Sequence, residues 1–312
     1  MISKGLPFSL CSGALWGALL VVPQWLSDFS VTDITVGRFL AFAGVVLCLL
    51  IFYRRDSLNH LKPGDFQHYL LIALFGNLFF YFALIASIRH IGAVPACIMM
   101  GALPVLGWKY LDSGFRINNE MMPPVFLLVL AVLLAVSESH SLMPAEQSNN
   151  WLPGIMLLLL AAVCWIFSAT VQANMVRSHS HLDHSDHFLL TGVLLLPCLL
   201  IFLPLLGFDD PDYGLMTDEH SPGRWHSFWL VMLGIGFFST LVARIFWKLC
   251  TKNEQSHLYH YHAMWQSVFG LFYIFVLEQR LPEGMELASL ICFGFGLFLY
   301  GRHRSENQCL QA

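Results

Sequence analysis

Residues 151–173 read WLPGIMLLLLAAVCWIFSATVQA and contain no charged side chain. A helix of this length crosses the roughly 30 Å hydrocarbon core of a bilayer. The apolar residues run on continuously instead of alternating with polar ones, which argues against a barrel strand. Since a backbone in lipid must satisfy its own hydrogen bonds, the stretch predicts a membrane-spanning helix.

Similar stretches fill most of the chain. The sequence is 57% hydrophobic and 12% charged, with a mean hydropathy of +0.64, whereas soluble domains carry roughly 25% charged residues. We therefore predict an all-α integral membrane protein without an aqueous domain. Its ten predicted spans, named one to ten, are 6–26, 34–53, 68–88, 91–111, 122–138, 151–173, 187–207, 227–247, 256–277 and 284–301.

The distribution of cations predicts the orientation. With the N-terminus in the cytoplasm, only Arg89, Arg224 and Arg280 lie outside, Arg38 and Arg244 fall within spans, and the rest of the 16 Lys and Arg lie inside. Cations near helix ends resist translocation, so this arrangement is the favoured one. An even number of spans then returns the C-terminus to the cytoplasm. The net charge of −4 gives no support for a nucleic-acid partner.

The two halves of the chain resemble each other. At an offset of 149 residues Trp16 aligns with Trp165, Phe39 with Phe188, and the apolar run after Arg38 with the run after His187. Each half holds five spans, an odd number, so the second copy enters the membrane from the opposite side. Inverted repeats of this kind are typical of secondary carriers. The alternative is that leucine-rich helices slide into partial register by chance.

Short motifs in order along both halves resemble the drug/metabolite transporter superfamily, in particular its EamA-like members. The first half carries Ala14-Leu15-Trp16-Gly17, Arg38-Phe39, the run from Gly76 to Ala86, and Ala93 to Pro104; the second carries Cys164-Trp165 and Glu278-Gln279-Arg280-Leu281-Pro282. The resemblance covers essentially the whole chain. The chain departs from the family pattern at Trp265-Gln266, where a proline is usual, and at Leu277, where a glycine is usual.

The resemblance implies an inner-membrane transporter built from two inverted five-helix repeats, which we place at 1–145 and 146–312. It also implies a central cavity lined by spans one, three, four, six, eight and nine. The departures at 265–266 fall in a cavity-lining helix, so they weaken inference of the solute from relatives.

Polar side chains within the spans are costly and therefore mark candidate path residues. Arg38 either extends along its helix toward the interface, which is the favoured interpretation, or it takes part in gating or pairs with an external carboxylate such as Asp33. Asn77 and Tyr81 bind either a neighbouring helix or a solute. Arg244 either extends toward the level of Lys248 or contacts a carboxylate of the solute.

Span nine carries an unusual series of polar-tipped aromatic residues. His262, Trp265, Gln266, Phe269 and Tyr273 follow spacings of three and four, so they share one helix face. Such a face suits a cavity wall better than lipid, although hydrogen bonding between helices or an interfacial aromatic belt is the alternative. The predicted substrate-binding residues are Trp16, Asn77, Tyr81, Trp165, Arg244, His262, Trp265, Gln266 and Tyr273.

The interiors of spans one to four and six to nine contain no carboxylate. A lipophilic cation would have to bind through cation–π contacts with aromatic residues of the path. Proton coupling, if present, would fall to His260 or His262, because an unperturbed histidine titrates near pH 6.5.

Residues 178–187, between spans six and seven, are rich in His and Asp and could hold Zn²⁺ or Ni²⁺. A solvated connector is the favoured alternative, because the spans lack the acidic ligands that a metal carrier needs.

We therefore expect a secondary transporter that exports a small metabolite, an amino acid or a derivative, by alternating access. The alternatives are efflux of an organic cation or drug through an aromatic cavity, and transport of a divalent metal. No nucleotide motif or nucleophile constellation is visible, so we expect no cofactor and no enzymatic activity. The expected partners are the small-molecule solute and the lipid bilayer.

Overall fold

The computed structural model describes residues 5–52, 63–107, 121–142, 151–178, 184–202, 221–253 and 264–309. Within these ranges the chain is almost entirely helical and contains no strand, in agreement with the predicted all-α class. The ten-span count and the side of the termini stay predictions.

Seven described helices are apolar and long enough to cross a membrane. They are Leu6–Trp25, Val31–Phe52, Gly64–Ile91, Met122–Leu142, Trp151–Ser178, Pro222–Cys250 and Gly284–His303, and they occupy spans one, two, three, five, six, eight and ten. Shorter apolar helices, Ala93–Leu106, Asp186–Phe202 and Trp265–Glu278, occupy spans four, seven and nine.

Span one is not a uniform α-helix. The α-helix Leu6–Gly17 passes into a 3₁₀ turn, Ala18–Leu20, and a short helix, Val22–Trp25, completes the span. Pro23 explains the break, because proline has no N–H and its ring clashes with the carbonyl four residues earlier. The tighter 3₁₀ turn moves that carbonyl aside.

Spans three and eight share a rarer irregularity. In span three a π-helical segment, Leu74–Phe79, joins the α-helices Pro63–Ala73 and Phe80–Ile91. In span eight the π-helical segment Gly236–Val242 joins Pro222–Ile235 to Ala243–Asn253. Both spans also begin with Pro-Gly. A π turn holds an extra residue and shifts the hydrogen-bond register, and such turns are frequent at functional sites.

The helix neighbours come in related pairs. Span one packs on spans eight and nine, and span six packs on spans three and four. Span two meets span seven, span four meets span nine, and span five meets span ten. A shift of five span numbers, which exchanges the two halves, turns the contacts of span one with spans eight and nine into those of span six with spans three and four. The same shift leaves the other three contacts unchanged.

Glycines bring span one and span nine unusually close together. A Cβ added to Gly13 would lie 2.5 Å from the Cβ of Trp265, and one added to Gly17 would lie 2.8 Å from the carbonyl oxygen of Gln266. Small residues four apart let two helix backbones approach closely in a membrane. This contact fixes the position of span nine against span one.

Candidate functional site

One end of the helix bundle, here called the arginine end, carries Arg89, Arg224 and Arg280. Arg89 donates to the carbonyl oxygens of Leu26, Ser27 and Phe29, in the link between spans one and two. These bonds hold the end of span three against that link. The three arginines that the sequence places outside the membrane lie at this end.

Two further contacts at the arginine end join the halves of the chain. Arg224, at the start of span eight, pairs with Asp28 in the link between spans one and two. Gln24 Nε2 donates to Glu278 Oε1 across 3.1 Å, which joins the ends of spans one and nine. The arginine end is therefore closed by contacts between the first half and the second.

Arg280 makes its contacts within the second half. Its guanidinium binds Glu278 with Nε at 2.6 Å and also binds Glu286. The hydrogen bonds from Arg280 to Glu286 and Glu278 raise the pKa of its guanidinium above the ordinary value. The Arg280 guanidinium therefore keeps its charge throughout the physiological range.

Trp16 lies in the contact between spans one and eight. Its indole Nε1 donates to the carbonyl oxygen of Ser239 at 2.8 Å, inside the π-helical segment Gly236–Val242. Its ring also meets that of Trp247, with 5.3 Å between centroids. The side chain is half-buried.

The predicted residues of span nine lie beside this contact. Trp265, Gln266 and Tyr273 are half-buried, between a buried face and a lipid-exposed face. Because Gly13 and Gly17 hold the backbone of Trp265 and Gln266, the structure brings these two residues next to the span that carries Trp16. His262, with His260, lies outside the described residues.

Asn77 and Trp165 belong to the contact between spans three and six. Asn77 lies in the π-helical segment, and its Nδ2 donates to the Ile72 carbonyl at 3.2 Å. Next to it, Gly76 leaves the space that Ser168 fills, since an added Cβ would lie 2.7 Å from the Ser168 Oγ. Trp165, one turn before Ser168, is half-buried.

Tyr81 is buried and contacts Arg38, which is not among the predicted substrate-binding residues. The guanidinium carbon of Arg38 lies 3.8 Å from the centroid of the Tyr81 ring and 5.0 Å from that of Phe39. Arg38 thus turns toward span three instead of extending to the interface. Nor does it pair with Asp33, whose carboxylate accepts hydrogen bonds from Ser30.

Arg244 meets an aromatic ring in a comparable way. Its guanidinium carbon lies 5.0 Å from the centroid of Phe188 in span seven. Phe188 in turn stacks on Phe42 of span two, with 5.2 Å between centroids. Arg244 therefore joins the contact between spans two and seven.

A second polar contact that the sequence analysis did not single out lies at the other end of spans three and seven. The Tyr69 hydroxyl and His187 Nδ1 are hydrogen-bonded at 2.7 Å, and both residues are buried. The alignment of the two halves gave a signal for it, because His187 stands where Arg38 stands in the first half.

Metal ligands do not cluster in the described part of the chain. No group of three His, Cys, Asp or Glu side chains suited to a metal ion is found there. Most of the His/Asp-rich stretch 178–187 lies outside the described residues, so that hypothesis stays untested.

An apolar groove lies on the outer surface of the bundle. It has a volume of about 500 Å³ and runs between spans two and eight, from Leu40 and Phe52 to Leu233 and Phe237. Its side chains are almost wholly apolar, which suits a lipid chain better than a polar solute.

Comparison with known proteins agrees with the fold. Over 319 aligned residues the chain is 24% identical to the inner membrane protein YtfF of Escherichia coli (strain K12), with 98% of this chain and 97% of that protein covered. A solved structure titled only as the crystal structure of a protein shares the fold with a TM-score of 0.61 at 14% identity, over 97% of this chain and 98% of that one.

A match to a known family covers the first part of the chain. Residues 3–137 match the model of the EamA-like transporter family, the same family that the sequence motifs resemble. The match, the YtfF relative and the apolar helices agree on a multi-pass protein of the inner membrane. Residues 3–137 are therefore similar to the EamA-like transporter family.

Proposed function

We propose that this membrane transporter is a secondary carrier that exports a small metabolite, such as an amino acid or a derivative, by alternating access. Its two inverted repeats are 1–145 and 146–312. The paired helix contacts described above support this division, since each of those contacts has a counterpart when the span numbers are shifted by five.

The main support for the proposed mechanism is the position of the two π-helical segments. The segment of span eight accepts the Trp16 hydrogen bond from span one, and the segment of span three packs Gly76 against Ser168 of span six. Each segment thus touches a helix of the other half. A π turn interrupts the regular hydrogen-bond ladder, so a helix bends there more readily.

Bending at two corresponding points would let the halves change their mutual packing without unfolding. The solute path then runs between them, open first to one side and then to the other. Its proposed lining is Trp16, Asn77, Tyr81, Trp165, Arg244, His262, Trp265, Gln266 and Tyr273. Proton coupling would use a histidine, His260 or His262, or the buried His187.

A one-residue deletion tests the role of the π segments. Deleting Leu74 should convert Leu74–Phe79 into regular α-helix without turning the helix that follows, because a π turn contains one extra residue. We expect normal amounts of folded protein and loss of transport. Leu133→Ala, at a lipid-exposed position of span five, is the control variant.

The measurement uses proteoliposomes loaded with a small-molecule extract of cells. Mass spectrometry follows which solutes leave the vesicles, against protein-free vesicles. Transport by the wild-type protein and by Leu133→Ala, but not by the deletion variant, supports the proposal. A deletion variant that transports at the wild-type rate contradicts it.

Efflux of organic cations is the second candidate function. It is favoured by the half-buried aromatic side chains of the path, since Trp16, Trp265 and Tyr273 each present a ring on which a cation can lie. Cellular retention of a fluorescent dye cation should then fall on expression and recover with Trp265→Ala. Divalent-metal transport would instead show as a change of metal tolerance when residues 178–187 are deleted.

A further inference from the structure

Arg38 is a cation inside the helix bundle. Leu40 and Leu47 of the same span are exposed toward lipid, and Arg38 lies about 200° around the helix from Leu40 at 100° per residue. Val36 and Phe39, on either side of it in sequence, are buried. The arginine therefore points toward span three and away from lipid.

The depth of Arg38 follows from the helices that carry it. Span two starts at Val31, and the helix of span three ends at Ile91; both lie at the arginine end. At 1.5 Å per residue, Arg38 is about 10 Å and Tyr81 about 15 Å from that end. The guanidinium thus lies inside the bundle and away from its arginine end.

The contacts of Arg38 leave N–H groups of its guanidinium available to donate to a further acceptor. Its guanidinium carbon lies over the Tyr81 ring at 3.8 Å, and no described carboxylate lies within ion-pair distance of it. A cation–π contact uses the face of the guanidinium and not its five N–H groups. A half-buried arginine held in this way is prepared to bind an anion in the plane of its donors.

Arg244 lies on the same side of span two, farther from the arginine end. Arg38 and Phe42 are four residues apart and share a helix face. Phe42 stacks on Phe188, and Phe188 lies under the guanidinium of Arg244. Two arginines, each resting on an aromatic ring, thus follow one another along the contact between spans two, three, seven and eight.

None of the described carboxylates pairs with Arg38. Asp33, Asp65, Asp186 and Glu286 belong to the first turns of their helices, and Glu278 ends its helix. The charge of Arg38 is therefore not offset by a described carboxylate beside it. In a medium of low dielectric this charge attracts an anion and repels a cation.

We infer that Arg38 binds the carboxylate of the solute, and that the solute is a small organic anion. This inference rests on the proposed transport function and narrows its solute class. Among amino-acid derivatives it favours those whose amine carries no charge, because the middle of the described spans offers no carboxylate for an ammonium group.

Binding is tested on the purified protein, independently of transport. The probes are acetate, lactate, benzoate and a set of N-acetylated amino acids, each paired with its uncharged amide. A ligand that binds the folded state raises Tm. We expect at least one carboxylate to raise the wild-type Tm while its amide does not.

Variants then assign the effect to the arginine. Loss of a charge-assisted hydrogen bond should weaken binding about tenfold or more in Arg38→Gln, with partial recovery in Arg38→Lys. Arg177→Gln, which removes an exposed arginine at the end of span six, should bind as the wild type does. The inference is overturned if no carboxylate shifts Tm, or if Arg38→Gln keeps the full shift.

Transport separates this inference from the function on which it rests. In extract-loaded proteoliposomes we expect the moving solutes to be carboxylates, with slower movement in Arg38→Gln and Arg244→Ala. Movement of cations at equal rates in wild type and both variants would overturn the anion assignment and leave the carrier function standing. If no solute moves, the carrier function fails, and the Tm experiment still decides whether the anion site exists.

Discussion

At the residue scale, the hydrogen bond from Trp16 to the π-helical segment of span eight is the most direct link between the halves. Trp16→Phe keeps a ring in place but removes the N–H that reaches the Ser239 carbonyl at 2.8 Å. We expect a loss of about 1 kcal/mol in the free energy of unfolding and slower transport, because the segment loses its partner from span one.

Trp25→Phe is the matched control, since the Trp25 side chain is largely exposed. Thermal unfolding and solute efflux measured on the same preparations separate the two effects. Equal rates and equal Tm for the wild type and Trp16→Phe would remove this hydrogen bond from the mechanism.

Span nine offers a second residue-scale prediction. Gln266→Ala and His262→Ala should lower the transport rate without lowering the amount of folded protein, since Gln266 is half-buried beside the helix of Trp16. Phe272→Ala, on the lipid-exposed face of the same helix, serves as the control. An unchanged rate in both path variants would exclude span nine from the solute path.

The sequence predicted some of these side chains better than others. The length of the apolar stretches predicted the positions of the helices. The rarity of polar groups in lipid made Asn77, Tyr81 and Arg244 candidates for the solute path. The direction of Arg38 could not be read in this way, because it depends on which helix packs against which face of span two. Only the fold shows that this face meets Tyr81.

At the element scale, the two π-helical segments left no sequence signal, since one additional residue in a continuous apolar helix does not change its composition. The close contact of spans one and nine did leave one. Gly13 and Gly17 are four residues apart, the spacing of small residues that lets membrane helices approach closely. Gly17 also ends the motif Ala14-Leu15-Trp16-Gly17, which by itself does not predict this contact.

This contact gives the third prediction. In Gly17→Ala the new Cβ would lie 2.8 Å from the Gln266 carbonyl oxygen and 2.8 Å from the Gly270 nitrogen. These are backbone atoms, so one helix must move, and overpacking of this kind costs about 1–3 kcal/mol. We expect a lower Tm and slower transport, because span nine shifts.

Gly44→Ala is a closely matched control, since Gly44 also lies in a membrane helix but has no atom within 4 Å of an added Cβ. Alanine is the better helix former, so this variant should be at least as stable as the wild type. Equal stability of Gly17→Ala and Gly44→Ala would show that the helices of spans one and nine can move apart at little cost in free energy.

At the scale of the whole molecule, the fold explains why three arginines collect at one end. The cation count predicted a common side for Arg89, Arg224 and Arg280, and all three lie together. What the count could not predict is that Arg224 joins the halves whereas Arg280 binds only within its own. That difference comes from the link between spans one and two, which brings Asp28 to span eight.

The last prediction uses this difference. If the solute path opens by parting the halves, Arg224→Gln and Asp28→Asn should favour the state that is open at the arginine end. Each variant removes the same ion pair, so the double variant should behave like either single one. The pair is partly exposed, and pairs of this kind contribute about 0–1 kcal/mol, which is enough to shift a balanced equilibrium severalfold.

Hydrogen–deuterium exchange measures this shift, because opening exposes the ends of the helices Phe80–Ile91 and Trp265–Glu278. Exchange there should accelerate in Arg224→Gln, in Asp28→Asn and in wild-type protein at high salt, where partly exposed pairs are screened. Arg280→Gln removes an ion pair within one half and should leave exchange in Phe80–Ile91 unchanged. Acceleration confined to residues 26–30 and 221–224 would mean that the pair only fastens a loop, and that the halves part elsewhere.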